Sequence, residues 1–196
     1  GIDTYFLPSW PESINYRSRE KIKLITSKKD FLTIIFTGNI GVAQDVKAII
    51  DAALILKEKI DIHFVFIGDG RSKIQLENFV SENNLKNTVH FLGRFPLDAM
   101  KSFFNQADVL LVSLKDELIF NVTVPAKLQA YMASGKIILG AINGEAKSII
   151  NNNNVGLASE SGDFNSLSTN AIFLKNLTTP QKIQIQNNSK NLYFKE

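Results

Sequence analysis

Cysteine is absent from this 196-residue sequence and histidine is rare, and each shortage excludes a class of site. Without cysteine there is no disulfide, no thiolate metal site and no cysteine nucleophile. The two histidines, His63 and His90, fall in two different strand-like runs. We interpret both as ordinary strand residues, and we expect no metal site.

Long apolar runs and clustered positive charge are also missing. No run reaches the roughly 20 apolar residues that span a bilayer, and no secretory signal is recognisable, so we expect a cytoplasmic protein. The 22 basic and 19 acidic residues are spread along the chain and leave a net charge of +3. Without a basic cluster, a nucleic-acid partner is not expected.

Apolar residues make up 44% of the sequence, which is enough for one domain with a sizeable core. Residues 1–30 contain no convincing strand and are predicted to be a connecting segment, whereas residues 31–196 form the predicted domain. The chain opens mid-pattern and stops at Glu196 directly after a helical pattern. We therefore expect it to be a piece of a longer protein.

From residue 31 onward, short apolar runs alternate with segments of helical periodicity. The runs predict strands at 32–38, 62–68, 89–93, 109–114, 137–141 and 155–158. The periodic segments predict helices at 45–59, 71–83, 97–106, 125–134, 145–150, 164–174 and 180–194. This alternation predicts an α/β fold, a Rossmann-like doubly wound parallel sheet of about six strands with helices on both faces. Such a sheet binds ligands at the carboxyl ends of its strands.

One strand, loop and helix, within residues 110–139, carry the clearest prediction of a site. A charged, turn-like loop at 115–122 leads to Pro125, which suits the first turn of a helix. The free amides of that turn favour an anion, and Lys127 adds a positive charge. We predict a phosphate-bearing ligand at 123–127, the alternative being that Lys127 is a solvated surface lysine. The asparagine run at 151–154 is interpreted as a surface turn without function.

Several phrases, taken in order, resemble a known family. They are FTGNIG, FVFIGDG, VHFLGRFP, ADVLLVSL, VPAKLQAYMASGKIIL and NGEA. Together they resemble the C-terminal, donor-binding half of the retaining family 4 (group 1) glycosyltransferases, one lobe of the GT-B architecture. The PAK phrase is similar to the variant found in transferases of the N-acetylfucosamine, O-antigen or capsule type. The resemblance covers residues 31–196.

This resemblance implies an enzyme that transfers a hexose or N-acetylhexosamine to a glycan or lipid-linked acceptor in bacterial surface polysaccharide synthesis. The donor is a nucleotide-diphosphate sugar, with a UDP-sugar expected, and it is a substrate, so no cofactor is implied. The acceptor is held by an N-terminal lobe that this sequence lacks, through which the full protein could touch the inner face of the membrane. This chain alone is therefore expected to be inactive, and no catalytic residue is assigned.

The resemblance also assigns candidate donor-binding residues. A glycine turn near the diphosphate, a loop for the base, a helix start over the phosphates and a turn near the sugar contribute Gly38, Asn39, Gly41, Gln44, Asp69, Arg94, Phe95, Glu117, Thr123, Val124, Pro125, Lys127, Gln129 and Glu145. For Asp69 we favour a structural role, capping the helix at 71–83 through Ser72 or its neighbours.

The sequence also departs from the family pattern. Asn39 and Gln44 stand where many members carry cations, so we predict weak donor binding by this domain alone. Val122 and Ala130 stand where the Glu-x7-Glu carboxylates are expected, so the ribose contact comes from Gln129, from Glu117 or Asp116, or from none. Two alternatives stay open: a degenerate lobe acting as an assembly module, or half of a GT-B epimerase or phosphorylase.

Overall fold

Six parallel strands form one sheet in the order β3-β2-β1-β4-β5-β6. This is a computed structural model, and it describes residues 31–59 and 61–195; the predicted connecting segment at 1–30 lies outside them. The strands are β1 Leu32–Thr37, β2 Ile62–Ile67, β3 Val89–Gly93, β4 Val109–Ser113, β5 Ile137–Ala141 and β6 Gly156–Ser159. The α/β fold with a doubly wound parallel sheet is thereby confirmed.

Helices cover both faces of the sheet. They are α1 Val46–Ile55, α2 Lys73–Glu82, α3 Met100–Gln106, α4 Leu118–Asn121, α5 Ala126–Ala133, α6 Gly144–Asn152, α7 Phe164–Lys175 and α8 Thr179–Lys195, with 3-10 turns at Val42–Gln44 and Leu97–Ala99. Because strand side chains alternate, Phe36 belongs to the core that includes residues of α1, α2 and α7, whereas Ile35 belongs to the core that includes residues of α3, α5 and α6. None of the described helices has the length and apolar character needed to cross a bilayer.

The predicted elements agree with the observed ones except at the end of α1, which stops at Ile55 instead of residue 59, near the site and near β6. The predicted loop at 115–122 contains a short helix, α4, and Pro125 is the N-cap of α5, with extended backbone, instead of lying in its first turn. The interpretation of 151–154 as a surface turn without function gives the wrong secondary structure for Asn151. This residue belongs to α6, and its side-chain amide bonds both the N–H and the carbonyl of Ala158 in β6.

The two histidines lie in two different strands, as predicted, and the structure shows that these strands are neighbours in the sheet. His63 Nδ1 and His90 Nε2 are 3.1 Å apart, and the two rings are stacked. Burial holds the pKa of His90 below its usual value. In the part of the chain that the structure describes, no group of three or more His, Asp or Glu side chains is placed to hold a metal.

The strand order reverses between β1 and β4, and this switch point locates the site. β1 is registered with β2 along its whole length, but with β4 only at Ile34 with Val109 and at Ile35 with Leu110. Connections leave the two neighbouring strands in opposite directions at such a point, which opens a crevice at their carboxyl ends.

Candidate functional site

A cavity of about 520 Å³ lies at this crevice. The turns after β1 and β2, the loop after β3 and its following helix, and the start of α5 surround it. The lining residues are Thr37, Gly38, Asn39, Ile67, Gly68, Asp69, Arg94, Phe95, Leu97, Met100, Phe104, Ala126, Lys127, Ala130 and Tyr131. Its volume is in the range typical of small-molecule and cofactor sites.

Glycine lets the turns after β1 and β2 approach each other directly. Gly38 and Gly68 both have positive φ, 122° and 146°, which side-chain-bearing residues rarely adopt. A Cβ on Gly68 would lie 1.8 Å from the carbonyl oxygen of Gly38. The backbone of these turns therefore forms the floor of the cavity, and this part of it cannot gain a side chain without moving.

A buried tyrosine fixes α5 against the end of β1. The Tyr131 hydroxyl accepts a hydrogen bond from the Thr37 N–H at 3.1 Å and lies 3.0 Å from the Thr37 hydroxyl. Burial raises the pKa of Tyr131 to about 12, so this group stays an uncharged phenol. The predicted core position of Tyr131 is confirmed, and its hydrogen bonds hold the first turn of α5 at the cavity.

Lys127, in that first turn, points its ammonium group inward. Its Nζ lies 3.8 Å from the centre of the Phe36 ring, and a Cβ on Gly38 would be 3.3 Å from the same nitrogen. The hydrogen bonds and ion pairs among the described residues include none to Lys127. Burial lowers the pKa of Lys127 to about 7. A cation held this way, with only an aromatic face beside it, is placed to bind an anion.

The cavity brings together Gly38, Asn39, Asp69, Arg94, Phe95 and Lys127 from the predicted site residues. The others lie outside its lining and stay predictions: Gly41, Gln44, Glu117, Thr123, Val124, Pro125, Gln129 and Glu145. The amide of Asn39 reaches Gln44 at 3.4 Å, and Glu117 is the exposed N-cap of α4. The Thr123 hydroxyl donates to the carbonyl of Ile119 at 2.9 Å.

Two aspartates near the site make short-range hydrogen bonds. Asp69 Oδ1 accepts from the N–H of Gly70 at 2.9 Å, and the N-cap of α2 is Ser72, without a side-chain bond. The predicted helix cap at Asp69 is wrong, because the carboxylate closes its own turn. Asp116 accepts from the Asn121 amide at 2.8 Å, and this bond holds its pKa below the usual value. Asp116 thus stabilises the loop around α4 and does not line the cavity.

The sequence-based prediction missed the apolar wall of the site. Leu97, Met100 and Phe104 line the cavity from the segment after β3, at the spacing of one helical stripe. That spacing was visible in the sequence, but a core stripe has the same pattern. Only the position of the stripe next to the Arg94 loop could have indicated its role.

The model of the family described as "Glycosyl transferases group 1" matches residues 18–191. The chain belongs to this family. An uncharacterized glycosyltransferase of Methanocaldococcus jannaschii is 29% identical over 154 residues, which are 79% of this chain and 41% of that protein. WcaI, an Escherichia coli K12 glycosyl transferase named for colanic acid biosynthesis, is 27% identical over 139 residues, 66% of this chain and 33% of WcaI. The group 1 chain thus spans less than half the length of these relatives.

Solved structures show the same fold. The C-terminal domain of a group 1 glycosyl transferase, LpcC, from Francisella tularensis has a TM-score of 0.70 at 21% identity, over 84% of this chain and 85% of that domain. Anabaena HepE, solved in complex with UDP and glucose, has a TM-score of 0.71 at 16% identity, over 85% of this chain and 44% of HepE. The sheet is therefore that of a GT-B lobe from a family 4-like glycosyltransferase.

Proposed function

We propose that this chain is the donor-binding domain of a glycosyltransferase and that its cavity takes a nucleoside diphosphate sugar, with a UDP-sugar as the expected donor. The observation that carries the proposal is the ammonium of Lys127, which lies at the first turn of α5 beside Gly38 and has no anionic partner among the described residues. A diphosphate at this position would supply the negative charge that pairs with the Lys127 ammonium. The free backbone amides at the start of α5 would add hydrogen bonds.

The relatives support the wider proposal about the whole protein. HepE was solved with UDP and glucose, and WcaI is named for colanic acid biosynthesis. We extend this to transfer of a hexose or N-acetylhexosamine, with retention, to a glycan or lipid-linked acceptor at the inner face of the membrane, as in transferases of the N-acetylfucosamine, O-antigen or capsule type. An additional N-terminal lobe would bind the acceptor, and this chain alone would be inactive.

In this mechanism the domain stabilises the leaving group. Negative charge develops on the diphosphate as its bond to the sugar breaks, and preorganised donors in a partly dry site stabilise that charge. Ala126 and Lys127, in the first turn of α5, line the cavity, which supports this role. Binding of the diphosphate also favours the protonated form of Lys127, so the cation is present when it is needed.

Ligand-observed NMR with UDP-glucose, GDP-mannose and ADP-glucose tests the proposal, using Lys127→Ala against Lys86→Ala. Lys86 lies exposed before β3, away from the cavity, so its removal changes the net charge equally. We expect one nucleotide to bind and its affinity to fall about tenfold or more in Lys127→Ala, the cost of one charge-assisted hydrogen bond. Equal affinity in both variants, or no binding at millimolar concentration, contradicts the proposal.

A second candidate function, an assembly module, is favoured by the exposed surface of α4. Leu118, Ile119 and Val122 are 81%, 61% and 68% exposed, and Val122 occupies a position where the family carries a carboxylate. Apolar residues grouped at the surface are typical of contact sites. Intact polysaccharide synthesis by a full-length Lys127→Ala protein would favour this module.

A further inference from the structure

The backbone amides of the two glycine turns at the cavity are already bonded. The N–H of Gly38 donates to the carbonyl of Ile67, and the N–H of Gly68 donates to the carbonyl of Gly93, each at 2.8 Å. A backbone N–H is a single donor, so neither of these amides is available to a ligand. An anion held at this floor therefore depends on other donors around the cavity.

The hydroxyl of Thr37 is one such donor. Thr37 lines the cavity at the end of β1 and is only 8% exposed. The next residue, Gly38, lies beside the Lys127 ammonium, since a Cβ on Gly38 would be 3.3 Å from its Nζ. Within residues 31–59 and 61–195, the Thr37 hydroxyl has one hydrogen-bond partner, the Tyr131 hydroxyl at 3.0 Å. The direction of this bond decides whether the Thr37 proton is left for a ligand.

Burial determines the direction of the bond between the two hydroxyls. Tyr131 is 0% exposed, and its oxygen already accepts from the Thr37 N–H at 3.1 Å. The phenol proton then has one acceptor in the part of the chain that the structure describes, the hydroxyl oxygen of Thr37. In the reverse direction the phenol proton would be buried without an acceptor, which costs free energy. Tyr131 therefore donates to Thr37, and the Thr37 proton is left unpaired at the cavity.

We propose that the Thr37 hydroxyl donates a hydrogen bond to the diphosphate of the bound nucleotide, and that Tyr131 positions it by bonding its oxygen. The proposal rests on the proposed function, because it places a diphosphate beside Lys127. A hydroxyl that accepts one hydrogen bond still donates its own proton, and bonds in such a chain strengthen each other. Thr37 thus supplies an uncharged donor next to the ammonium, and the pair favours a ligand group that only accepts.

The substitution Thr37→Val tests the donor, because it removes the hydroxyl and keeps the shape of the side chain. Ligand-observed NMR with UDP, GDP and ADP gives the dissociation constants. For the nucleotide that binds the original chain, we expect affinity to fall about tenfold or more in Thr37→Val and to stay within about threefold in Thr37→Ser, which keeps the hydroxyl. Thr33→Val is the matched control, since Thr33 is a buried threonine of the same strand outside the cavity lining, and it should leave affinity unchanged.

Two different failures can be distinguished in this experiment. Unchanged affinity in folded Thr37→Val, or an equal loss in Thr37→Ser, overturns the role of the hydroxyl while the proposed function stands. Binding of none of the three nucleotides to the original chain overturns the proposed function as well.

The substitution Tyr131→Phe separates the donor role from a structural one. If Thr37 only anchored α5 through Tyr131, then Tyr131→Phe and Thr37→Val would break the same link and lose the same affinity. Because Tyr131→Phe leaves the Thr37 hydroxyl in place, we expect a loss of about threefold or less. Equal losses in the two variants overturn the proposal. If Thr37→Val does not fold, it is combined with Tyr131→Phe, which leaves no phenol proton unpaired, and the double variant should bind about tenfold more weakly than Tyr131→Phe alone.

Discussion

Lys127 makes the fold less stable than it would be with an apolar residue at the same position. Its pKa is about 7, against an ordinary value of 10.5, because burial removes water from the ammonium. Between these two values the unfolded chain binds more protons than the folded one, so this residue makes stability rise with pH. Below pH 7 the lysine is charged in both states, and the folded protein carries the whole desolvation cost.

Lys127→Met should therefore stabilise the protein, by about 1–3 kcal/mol at pH 6, because it keeps the packing and removes the buried charge. The gain should shrink as the pH approaches 10.5, where the original lysine is neutral in both states. Urea unfolding at pH 6 and pH 9.5 measures it, with Lys86→Met as an exposed control expected to change stability by less than about 0.5 kcal/mol. A gain that grows with pH would contradict this account of Lys127.

At the scale of elements, the turns after β1 and β2 depend on one glycine contact. Gly68→Ala would place a Cβ 1.8 Å from the Gly38 carbonyl oxygen, so we expect a loss of about 3 kcal/mol or more in the free energy of unfolding. Gly93→Ala is the matched control. Gly93 also has positive φ, 82°, but its Cβ would meet nothing within 4 Å, so only the backbone cost of about 1–2 kcal/mol is expected. Equal losses in chemical denaturation would show that crowding is not the cause.

The strands and most helices could be predicted from the sequence because the apolar residues that give the periodicity are the residues that pack in the core. Continuous apolar runs such as the one at β2 form strands that are buried on both faces. Because helices alternate with these strands along the chain, the strands are expected to run parallel in one sheet. The helix α4 could not be predicted, since none of its four residues is buried and its apolar side chains therefore leave no core-facing pattern. Local polar contacts that the apolar pattern does not encode, such as the bond between Asp116 and Asn121, help to hold it.

The candidate site was predictable where the position of a residue within its element indicates a role. Glycine after a buried strand and a lysine at a helix start are such cases, and Gly38 and Lys127 both line the cavity. Phe104 and Met100 could not be assigned, because an apolar side chain facing a cavity has the same helical spacing as one facing the core. Asp69 was assigned to the wrong acceptor role because an aspartate before a helix usually caps it.

At the scale of the whole molecule, the cavity lies across the boundary between two halves of the sheet. Lys127 comes from the half that holds β4 to β6, and Arg94 comes from the half that holds β1 to β3. Between the halves, β1 and β4 are registered only at Ile34 with Val109 and at Ile35 with Leu110. A bound donor that contacts both halves would hold this boundary closed.

UDP-glucose should therefore slow amide hydrogen exchange at the centre of β1 and β4. If opening of the boundary releases the ligand, a concentration ten times the dissociation constant should slow exchange of Ile35 and Leu110 by about tenfold. Amides of α8, which does not line the cavity, serve as the internal reference. The same slowing in Lys127→Ala at equal ligand concentration would contradict a bridging role.

The short β1–β4 ladder also bears on how the chain could be divided. Cut between α3 and β4, the chain would give two pieces of three strands each, joined by that ladder and by packing of α1 on α7. A donor that binds only the assembled form would then stabilise the association of the two pieces. Reassembly of the split chain would therefore increase with the concentration of nucleotide sugar.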